Sequence, residues 1–287
     1  MLSESQIQFF YENGYLVIKN LVSEEERRNL ILAVERIKNK VNSSPECFRT
    51  RYTLNSEESL DTWGVNDIFS PELNQGCVGD FLAKEDVLST VSALLDTNEL
   101  RFWGGHALWS PTKVDYKLYW HRDFGDPNVY IPTGRANHVQ FNVALTTDSS
   151  FWIIPGSHKR PLNDIEKKVE KTKEIVSLSG EVNVKCDPGD ILFMNAWALH
   201  RGECSVSSNR LTFHFNLQPK GEIYGGHASP VWMRDTEHLK ILNPVVRQLM
   251  LNLIKWDDEH PRTAAEIIRQ KRISNKIRKH QASDLNV

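Results

Sequence analysis

The sequence predicts a mainly β fold, a jelly-roll or cupin-like barrel with packed N- and C-terminal helices. Between about residues 100 and 219, short segments rich in β-branched and aromatic residues are separated by Gly, Pro, Asn and Asp. In the segment 210–217, polar and apolar residues alternate, which indicates a strand with a polar face inside a barrel and an apolar face under helices.

The N-terminal region is predicted to form a helix, a strand and a second helix. Residues 3–6 and 23–26 each match a capping box, and Gly14 is placed to end the first helix. The strand covers residues 15–18. The second helix carries an apolar stripe at Leu30, Ile31, Val34, Ile37 and Val41.

Two segments are predicted to be irregular and polar. Residues 42–80 contain several prolines and glycines and are expected to form loops at the mouth of a site rather than core. Residues 159–180 are rich in lysine and glutamate and are expected to form a solvated connection between strands.

Six strands are predicted for the barrel, and two of them have a polar face. They are Arg101–Trp109, Tyr116–Asp123, Val139–Thr146, Phe151–Ile154, Gly189–Met194 and Arg210–Leu217. Gln140 and Asn142 share one face of the third strand, and polar residues from Arg210 onward share one face of the last. A polar interior of this kind favours a ligand-binding barrel.

After residue 230 the chain is predicted to be helical. Asn243 and Pro244 begin a helix that is apolar on much of its circumference, so it is expected to pack on the barrel or on a partner subunit. Residues 263–280 form a basic amphipathic pattern, which favours a solvated face over docking to an anionic partner. The predicted division is a domain at 1–230, with a barrel core at about 100–219, and a helical extension at 231–287 that packs either on the barrel or on a partner subunit, where it would form a homodimer.

Composition narrows the function classes. A net charge of −2 gives no reason to expect nucleic acid, a membrane surface or an acidic partner. The first twenty residues show no signal peptide pattern, and no apolar run approaches the roughly 18 residues of a membrane span. The four cysteines have no metal or redox spacing, so a reducing cytoplasm is the predicted location.

His121, Asp123 and His200 form the strongest functional pattern. On a strand, residues two apart point the same way, so His121 and Asp123 could share one metal with a histidine from a distant strand. Two imidazoles and one carboxylate are typical of a non-haem iron(II) site, and Arg210 offers a planar fork for a cosubstrate carboxylate. Taken alone, His121 and Asp123 are more often a hydrogen-bonded surface pair.

Three segments together resemble the phytanoyl-CoA dioxygenase family. They are His121–Asp123, the Pro-Gly-Ser-His turn within Ile153–Lys159, and Asp187–Asp190 leading to His200 and Arg210. The similarity spans roughly residues 5–219. It implies a double-stranded β-helix in which His121, Asp123 and His200 bind iron(II). It also implies that Arg210 and Thr212 hold the distal carboxylate of 2-oxoglutarate and that Asn142 lines the cosubstrate site.

The resemblance implies a dioxygenase that uses O2 and converts 2-oxoglutarate to succinate and CO2 while hydroxylating, or otherwise oxidising, a small metabolite. Asp123 argues against halogenation, because related halogenases have Gly or Ala at that ligand position. Two alternatives stay open from the residues alone. One is another divalent-metal cupin acting as a hydrolase or isomerase through metal-bound water, and the other is a non-catalytic ligand-binding barrel.

Roles are also predicted for other histidines and arginines near these motifs. His158 is predicted to be structural, and four further histidines (His106, His138, His214 and His227) are predicted to surround the site, with His138 or His214 able to touch substrate. Three arginines suggest an anionic substrate: Arg122, Arg135 and Arg201. The substrate walls are expected from residues 42–80, the loop 124–137 and the region after 219.

Overall fold

The computed structural model describes residues 2–54, 60–123, 129–223 and 228–261. The helices are α1 Glu4–Asn13, α2 Glu24–Ser43, α3 Gly76–Leu82, α4 Glu85–Leu95, α5 Asp164–Thr172, α6 Thr236–Ile241 and α7 Pro244–Glu259. The strands are β1 Tyr15–Ile18, β2 Thr50–Leu54, β3 Leu60–Asn66, β4 Leu100–Trp109, β5 Tyr116–Lys117, β6 Val139–Ala144, β7 Asp148–Ile153, β8 Val182–Cys186, β9 Ile191–Asn195, β10 His200–Cys204 and β11 Leu211–Pro219. His227 and the predicted basic helix at 263–280 lie outside the described residues.

The strands form two antiparallel sheets. The larger has the order β1-β9-β6-β11-β4-β3-β2, and the smaller has the order β5-β10-β7-β8. A cluster of buried apolar residues joins the sheets at one end, with Ala144 and Met194 from the larger sheet and Ile153 and Val184 from the smaller. The predicted mainly β barrel is therefore confirmed.

β11 lies at the centre of the larger sheet and has two different faces. Phe213, Phe215 and Leu217 belong to the main hydrophobic core under the helices. His214 and Asn216 line a cavity between the sheets. The alternation predicted from the sequence is thus confirmed, because residues two apart on a strand share a face.

Helices α2 and α7 cover the outer face of the larger sheet. A capping box at Ser23 and Glu26 begins α2, whose buried side includes Val34 and Ile37. Asn243 caps α7, and Asn252 on that helix donates its side-chain N–H to the Leu100 carbonyl of β4 at 2.7 Å. Burying such apolar stripes against the sheet is the main source of their stability. The domain division at residue 230 stays a prediction.

The turn after β7 docks on the end of α1. Gly14 ends α1 with φ 80°, a left-handed conformation that glycine adopts without strain. His158 is fully buried beside it, and its Nε2–H donates to the Tyr11 carbonyl at 2.9 Å. A Cβ at position 14 would lie 2.8 Å from the His158 ring, so this contact needs glycine. These contacts agree with the predicted structural role of His158.

Residues 42–80 differ from their prediction as loops. They contain β2, β3 and α3, and Val65, Phe69 and Val78 belong to the main core. The polar composition was misleading because β2 is an edge strand with no fully buried residue, while the buried residues of this segment lie on β3 and beyond it. Four residues of this segment do line the cavity, as its predicted place at the mouth of a site requires: Arg49, Arg51, Trp63 and Asn66.

Two further predicted elements are corrected. The expected strand over residues 116–123 is regular only at β5, Tyr116–Lys117. The segment 159–180 contains helix α5, whose capping box joins Asn163 to Glu166. Its lysine-rich side is solvated, while Val169 packs in a small apolar cluster with Trp120. No helix in the described part of the chain has the length and hydropathy needed to cross a membrane.

A buried carboxylate holds the loop between β4 and β5 against β3. Asp61 accepts backbone N–H bonds from Thr112, Lys113 and Val114 at 2.6–3.0 Å. Burial alone raises the pKa of Asp61, but these donors outweigh it and the pKa is lowered. The loop leads directly to Tyr116, so the bonds position that side chain in the cavity.

Candidate active site

His121 and His200 form a two-residue antiparallel bridge of their own. The backbone N–H of each donates to the carbonyl of the other at 2.9 Å. His200 is the first residue of β10, whereas His121 lies beyond the end of β5. The two imidazoles therefore meet without the continuous strand that the sequence predicted for residues 116–123.

Each imidazole is aimed by a backbone carbonyl two residues earlier. His121 Nδ1–H donates to the Tyr119 carbonyl at 3.0 Å, and His200 Nδ1–H donates to the Ala198 carbonyl at 2.9 Å. These bonds fix the tautomer that carries its lone pair on Nε2. Both Nε2 atoms consequently face the same point between the sheets.

The three predicted ligands converge at that point. Asp123 Oδ1 lies 3.9 Å from the Nε2 atoms of both His121 and His200. One ligand atom from each residue lies within 4.8 Å of the other two. Separations of this size are too long for hydrogen bonds, but they suit three ligands around one cation. The donor set therefore fits an iron(II) ion bound on one face.

Burial keeps both imidazoles neutral. It lowers the pKa of His121 to about 4, with the neighbouring His200 adding to the effect. It also lowers the pKa of His200 to about 4. A neutral imidazole is the form that binds a metal ion, so neither ligand has to lose a proton near neutral pH.

The ligands open onto a cavity of about 240 Å³ between the sheets. Its lining is strongly polar for a protein interior. The lining residues are Arg49, Arg51, Trp63, Asn66, Trp103, His106, Leu108, Tyr116, Leu118, His121, Asp123, Gln140, Asn142, Ser150, Phe151, His200, Arg201, Gly202, Arg210, His214 and Asn216. Its size suits small molecules.

Arg210 is held at one side of this cavity by two partners. Its Nε–H donates to Asp148 Oδ2 at 3.0 Å, and its Nη1–H donates to the Tyr116 hydroxyl at 2.6 Å. Although burial lowers the pKa of Arg210, the Asp148 charge raises it above its usual value. The guanidinium is therefore a fixed cation, and Asp148 engages its Nε edge only.

Tyr116 and Asp148 were not identified from the sequence. Burial raises the pKa of Tyr116 to about 12, so the phenol keeps its proton and can donate it to an anion. Its ring stacks on Trp63 with centroids 4.2 Å apart. No sequence signal marked either residue, because their roles depend on contacts with residues far along the chain.

Thr212 and Asn142, predicted to serve the cosubstrate, lie in different surroundings. Thr212 is fully buried and donates its hydroxyl to Asp148 Oδ2 at 2.9 Å. It therefore acts on Arg210 through Asp148, and a direct contact with a cosubstrate stays a prediction. Asn142 lines the cavity, and among the described residues its buried side-chain oxygen has no hydrogen-bond partner.

A row of polar residues crosses the inner face of the larger sheet. Asn142 on β6 pairs with His214 on β11, His214 with His106 on β4, and His106 with Asn66 on β3. The rings of His106 and His214 meet edge to face at 5.0 Å. Burial holds the pKa of His214 well below its usual value, so this imidazole is neutral.

The arginines that suggested an anionic substrate are engaged elsewhere, with the partners as follows. Arg122 donates to the carbonyls of Val129, Ser157 and Arg160. Arg135 pairs with Asp96 at the surface. Arg201 lies between the rings of Trp120 and Trp152 and pairs with Glu203. All three guanidinium groups thus have protein partners, and of these three residues only Arg201 is among those that line the cavity.

Arg49 and Arg51 also line the cavity and were not identified from the sequence, and Arg49 pairs with Asp67. Arg51 lies on β2, within the segment predicted to be loop, and its Nε–H donates to the Asn66 side-chain oxygen at 3.1 Å. His138, in contrast, is not part of the lining and is fully buried, with Nε2–H donating to Asn216 at 2.8 Å. Of the two histidines predicted to be able to touch substrate, only His214 lines the cavity.

A family model and curated relatives match a large part of this chain. The model of the phytanoyl-CoA dioxygenase family matches residues 10–210. An ectoine dioxygenase of Bordetella bronchiseptica is 27% identical over 168 residues, which cover 55% of this chain and 50% of that protein. The chain therefore spans about half the length of the curated relatives it matches.

Solved structures of the same fold are similar over most of the chain. AviO1 from Streptomyces viridochromogenes has a TM-score of 0.59 at 17% identity, covering 75% of this chain and 93% of its own. HygX from Streptomyces hygroscopicus, with nickel and 2-oxoglutarate bound, has a TM-score of 0.57 at 21% identity, covering 76% and 88%. EctD from S. alaskensis, with 2-oxoglutarate and 5-hydroxyectoine, has a TM-score of 0.56 at 17% identity, covering 76% of each chain.

Proposed function

Because the chain belongs to the phytanoyl-CoA dioxygenase family, we propose that it is an iron(II)- and 2-oxoglutarate-dependent oxygenase of a small molecule. The main support for this proposal is that the three metal ligands and Arg210 share one cavity. His121, Asp123 and His200 open onto it, and the Arg210 guanidinium lines the same space. A metal hydrolase would need the three ligands but would have no use for a fixed arginine beside them.

The three ligands would hold iron(II) on one face and leave its other positions directed into the cavity. When bound, iron(II) supplies O2-dependent oxidation of a substrate C–H bond, coupled to conversion of 2-oxoglutarate to succinate and CO2. The carbonyl groups of Tyr119 and Ala198 keep both Nε2 lone pairs aimed at the metal position.

Arg210 and Tyr116 would bind the distal carboxylate of 2-oxoglutarate. The guanidinium supplies charge and the phenol supplies an O–H donor, and the 2.6 Å bond between them keeps both at one place. Asp148 holds the Nε edge, so the guanidinium cannot rotate away when the carboxylate is absent. Similarity in fold to HygX and EctD, whose structures contain 2-oxoglutarate, supports 2-oxoglutarate as the cosubstrate.

An anaerobic titration tests the proposal. Addition of 2-oxoglutarate to the iron(II) protein should produce the weak visible charge-transfer band of a metal-bound 2-oxo acid, and His200→Ala should not produce it. A screen of metabolites for 2-oxoglutarate-dependent succinate release would then identify the substrate. Absence of the band from the parent protein would favour the divalent-metal hydrolase or the non-catalytic barrel.

Two further proposals concern the oligomeric state and the cellular location of the protein. A homodimer through the C-terminal helices is supported by exposed apolar side chains at Ile241, Val245 and Leu251 on α6 and α7. A cytoplasmic location is supported by the four free cysteines. Size-exclusion chromatography with light scattering tests the first proposal, and fractionation of cells tests the second.

A further inference from the structure

Arg51 enters the cavity from β2, at the edge of the larger sheet. Asn66 accepts its Nε–H at 3.1 Å, and its guanidinium carbon lies 6.0 Å from the centroid of the Trp63 ring. Neither Nη group has a hydrogen bond or an ion pair with any residue that the structure describes. The side chain is thus fixed at one edge while its donor groups face the cavity.

The charges around Arg51 do not neutralise it. Burial lowers its pKa, Tyr116 and Asp123 act in the opposite direction, and the cations Arg210 and Arg49 lower it again. The carboxylate acting on it is that of Asp123, which the metal site uses. A half-buried cation without a counter-ion of its own is costly, so an anionic ligand would gain from meeting it.

Two ligands could bring such an anion, 2-oxoglutarate and the primary substrate. Asp148 and Tyr116 already hold Arg210 in a position suited to the distal carboxylate of 2-oxoglutarate. Three strand steps separate β11 from β2 in the sheet, which places their axes roughly 14 Å apart. The two guanidinium groups therefore reach the cavity from different strands, although they are near enough for Arg210 to lower the pKa of Arg51. With Arg210 committed to 2-oxoglutarate, Arg51 can serve a second ligand.

We propose that Arg51 anchors the carboxylate of the primary substrate, which is therefore a small organic acid. This inference rests on the proposed function, because it assigns 2-oxoglutarate to Arg210. Asn66 positions the guanidinium. The neutral imidazole of His214 and the amide of Asn142 offer uncharged hydrogen-bonding groups to the rest of the ligand. The volume of about 240 Å³ limits the acid to a small size.

The test compares acids with the matched carboxamides, in which only the carboxylate charge is removed. The iron(II)–2-oxoglutarate protein is titrated anaerobically with benzoate and benzamide, hexanoate and hexanamide, and L-proline and L-prolinamide, and with inorganic phosphate. Binding is followed by the thermal unfolding midpoint and by the shift of the charge-transfer band. We expect at least one acid to bind and its amide and phosphate not to. Arg51→Gln should weaken the binding of that acid at least about tenfold, because a charge-assisted pair is lost.

The control and the cosubstrate distinguish the remaining outcomes. Arg135→Gln, which removes a surface arginine paired with Asp96, should bind the acid as the parent does. The affinity for 2-oxoglutarate should change less than about threefold in Arg51→Gln and at least about tenfold in Arg210→Lys. Equal binding of acids and amides overturns the inference, as does a loss of 2-oxoglutarate affinity in Arg51→Gln comparable to that in Arg210→Lys. Absence of the band in the parent protein would instead overturn the proposed function.

Discussion

The two sides of the larger sheet serve different purposes, although the same strands build both. On the outer side, Phe213 and Phe215 of β11 pack with Phe69 and Phe141 beneath the helices. On the inner side, alternate residues of the same strand present polar groups to a cavity. Period-two alternation lets a strand separate stability from chemistry residue by residue. Substitutions on the inner side should therefore change binding and turnover, whereas those on the outer side should change the free energy of unfolding.

The largest effect is expected on the inner side, at His200. His200→Ala should lose iron binding and reduce 2-oxoglutarate turnover below detection, because two ligands cannot replace the three-ligand face. The unfolding midpoint should stay close to that of the parent, since the ligand orients a metal rather than packing the core. Metal analysis and succinate release measure the first effect. His260→Ala, a histidine stacked on Trp256, should bind iron normally. Substantial turnover by His200→Ala would exclude His200 as a ligand.

Phe215→Ala should produce the largest effect on the outer side. The ring is fully buried and contacts Phe69, Phe81 and Phe141. Its removal should lower the free energy of unfolding by about 3–5 kcal/mol, measured by urea denaturation, while the folded fraction still binds iron. Val231→Ala, at a side chain that is 90% exposed, should change stability by less than about 0.5 kcal/mol. A loss below about 1 kcal/mol in Phe215→Ala would mean that the core closes over the gap.

Arg210→Lys should be a smaller change confined to the inner side. A lysine can neither keep the Asp148 and Tyr116 contacts together nor bind a carboxylate through two parallel bonds. The apparent KM for 2-oxoglutarate should rise at least tenfold, which corresponds to about 1.5–3 kcal/mol of a charge-assisted contact. Arg135→Lys is the matched surface control. An unchanged KM would assign the cosubstrate carboxylate to another basic residue.

The smallest effect is expected at the start of α2 on the outer side. Ser23→Ala removes the side-chain oxygen that accepts the Glu26 N–H at 3.3 Å. The free energy of unfolding should fall by about 1 kcal/mol, with the KM for 2-oxoglutarate unchanged. Ser23→Asp keeps an acceptor and should restore most of the stability. A change in KM in Ser23→Ala would show that the two sides of the sheet are coupled.

Local patterns predicted much of this fold. Ser3, Gly14 and Ser23 mark helix ends through bonds within a few residues, and the structure has those ends where the sequence placed them. The alternation in β11 was equally local. Such features are readable because each depends on neighbouring residues alone.

The site was partly predictable for a different reason. His121, Asp123 and His200 were chosen as a set, and the structure brings their ligand atoms together. The strand that was to align the first two is nearly absent, so the argument from strand geometry was wrong even though the residues converge. A two-residue bridge between distant segments supplies the alignment, and no local pattern encodes it.

The arginines could not be assigned from the sequence. Arg122 meets Ser157 and Arg201 meets Trp152, both on distant segments, and charge alone does not show which groups an arginine meets. Arg51 was hidden in a segment that was too polar to predict as strand. Tertiary contacts decide whether an arginine faces a ligand or a protein partner. The surrounding sequence does not distinguish these two outcomes.

The aiming of the two imidazoles depends on carbonyl groups that every residue possesses. Since main-chain oxygen atoms of Tyr119 and Ala198 accept the Nδ1–H bonds of His121 and His200, those bonds do not depend on side-chain identity at the two positions, although the Tyr119 ring also packs edge to face on His121. These two hydrogen bonds can therefore persist through most substitutions at positions 119 and 198. A lineage built on this device could replace nearly the whole cavity wall, and so acquire new substrates, while both imidazoles keep converging on one point.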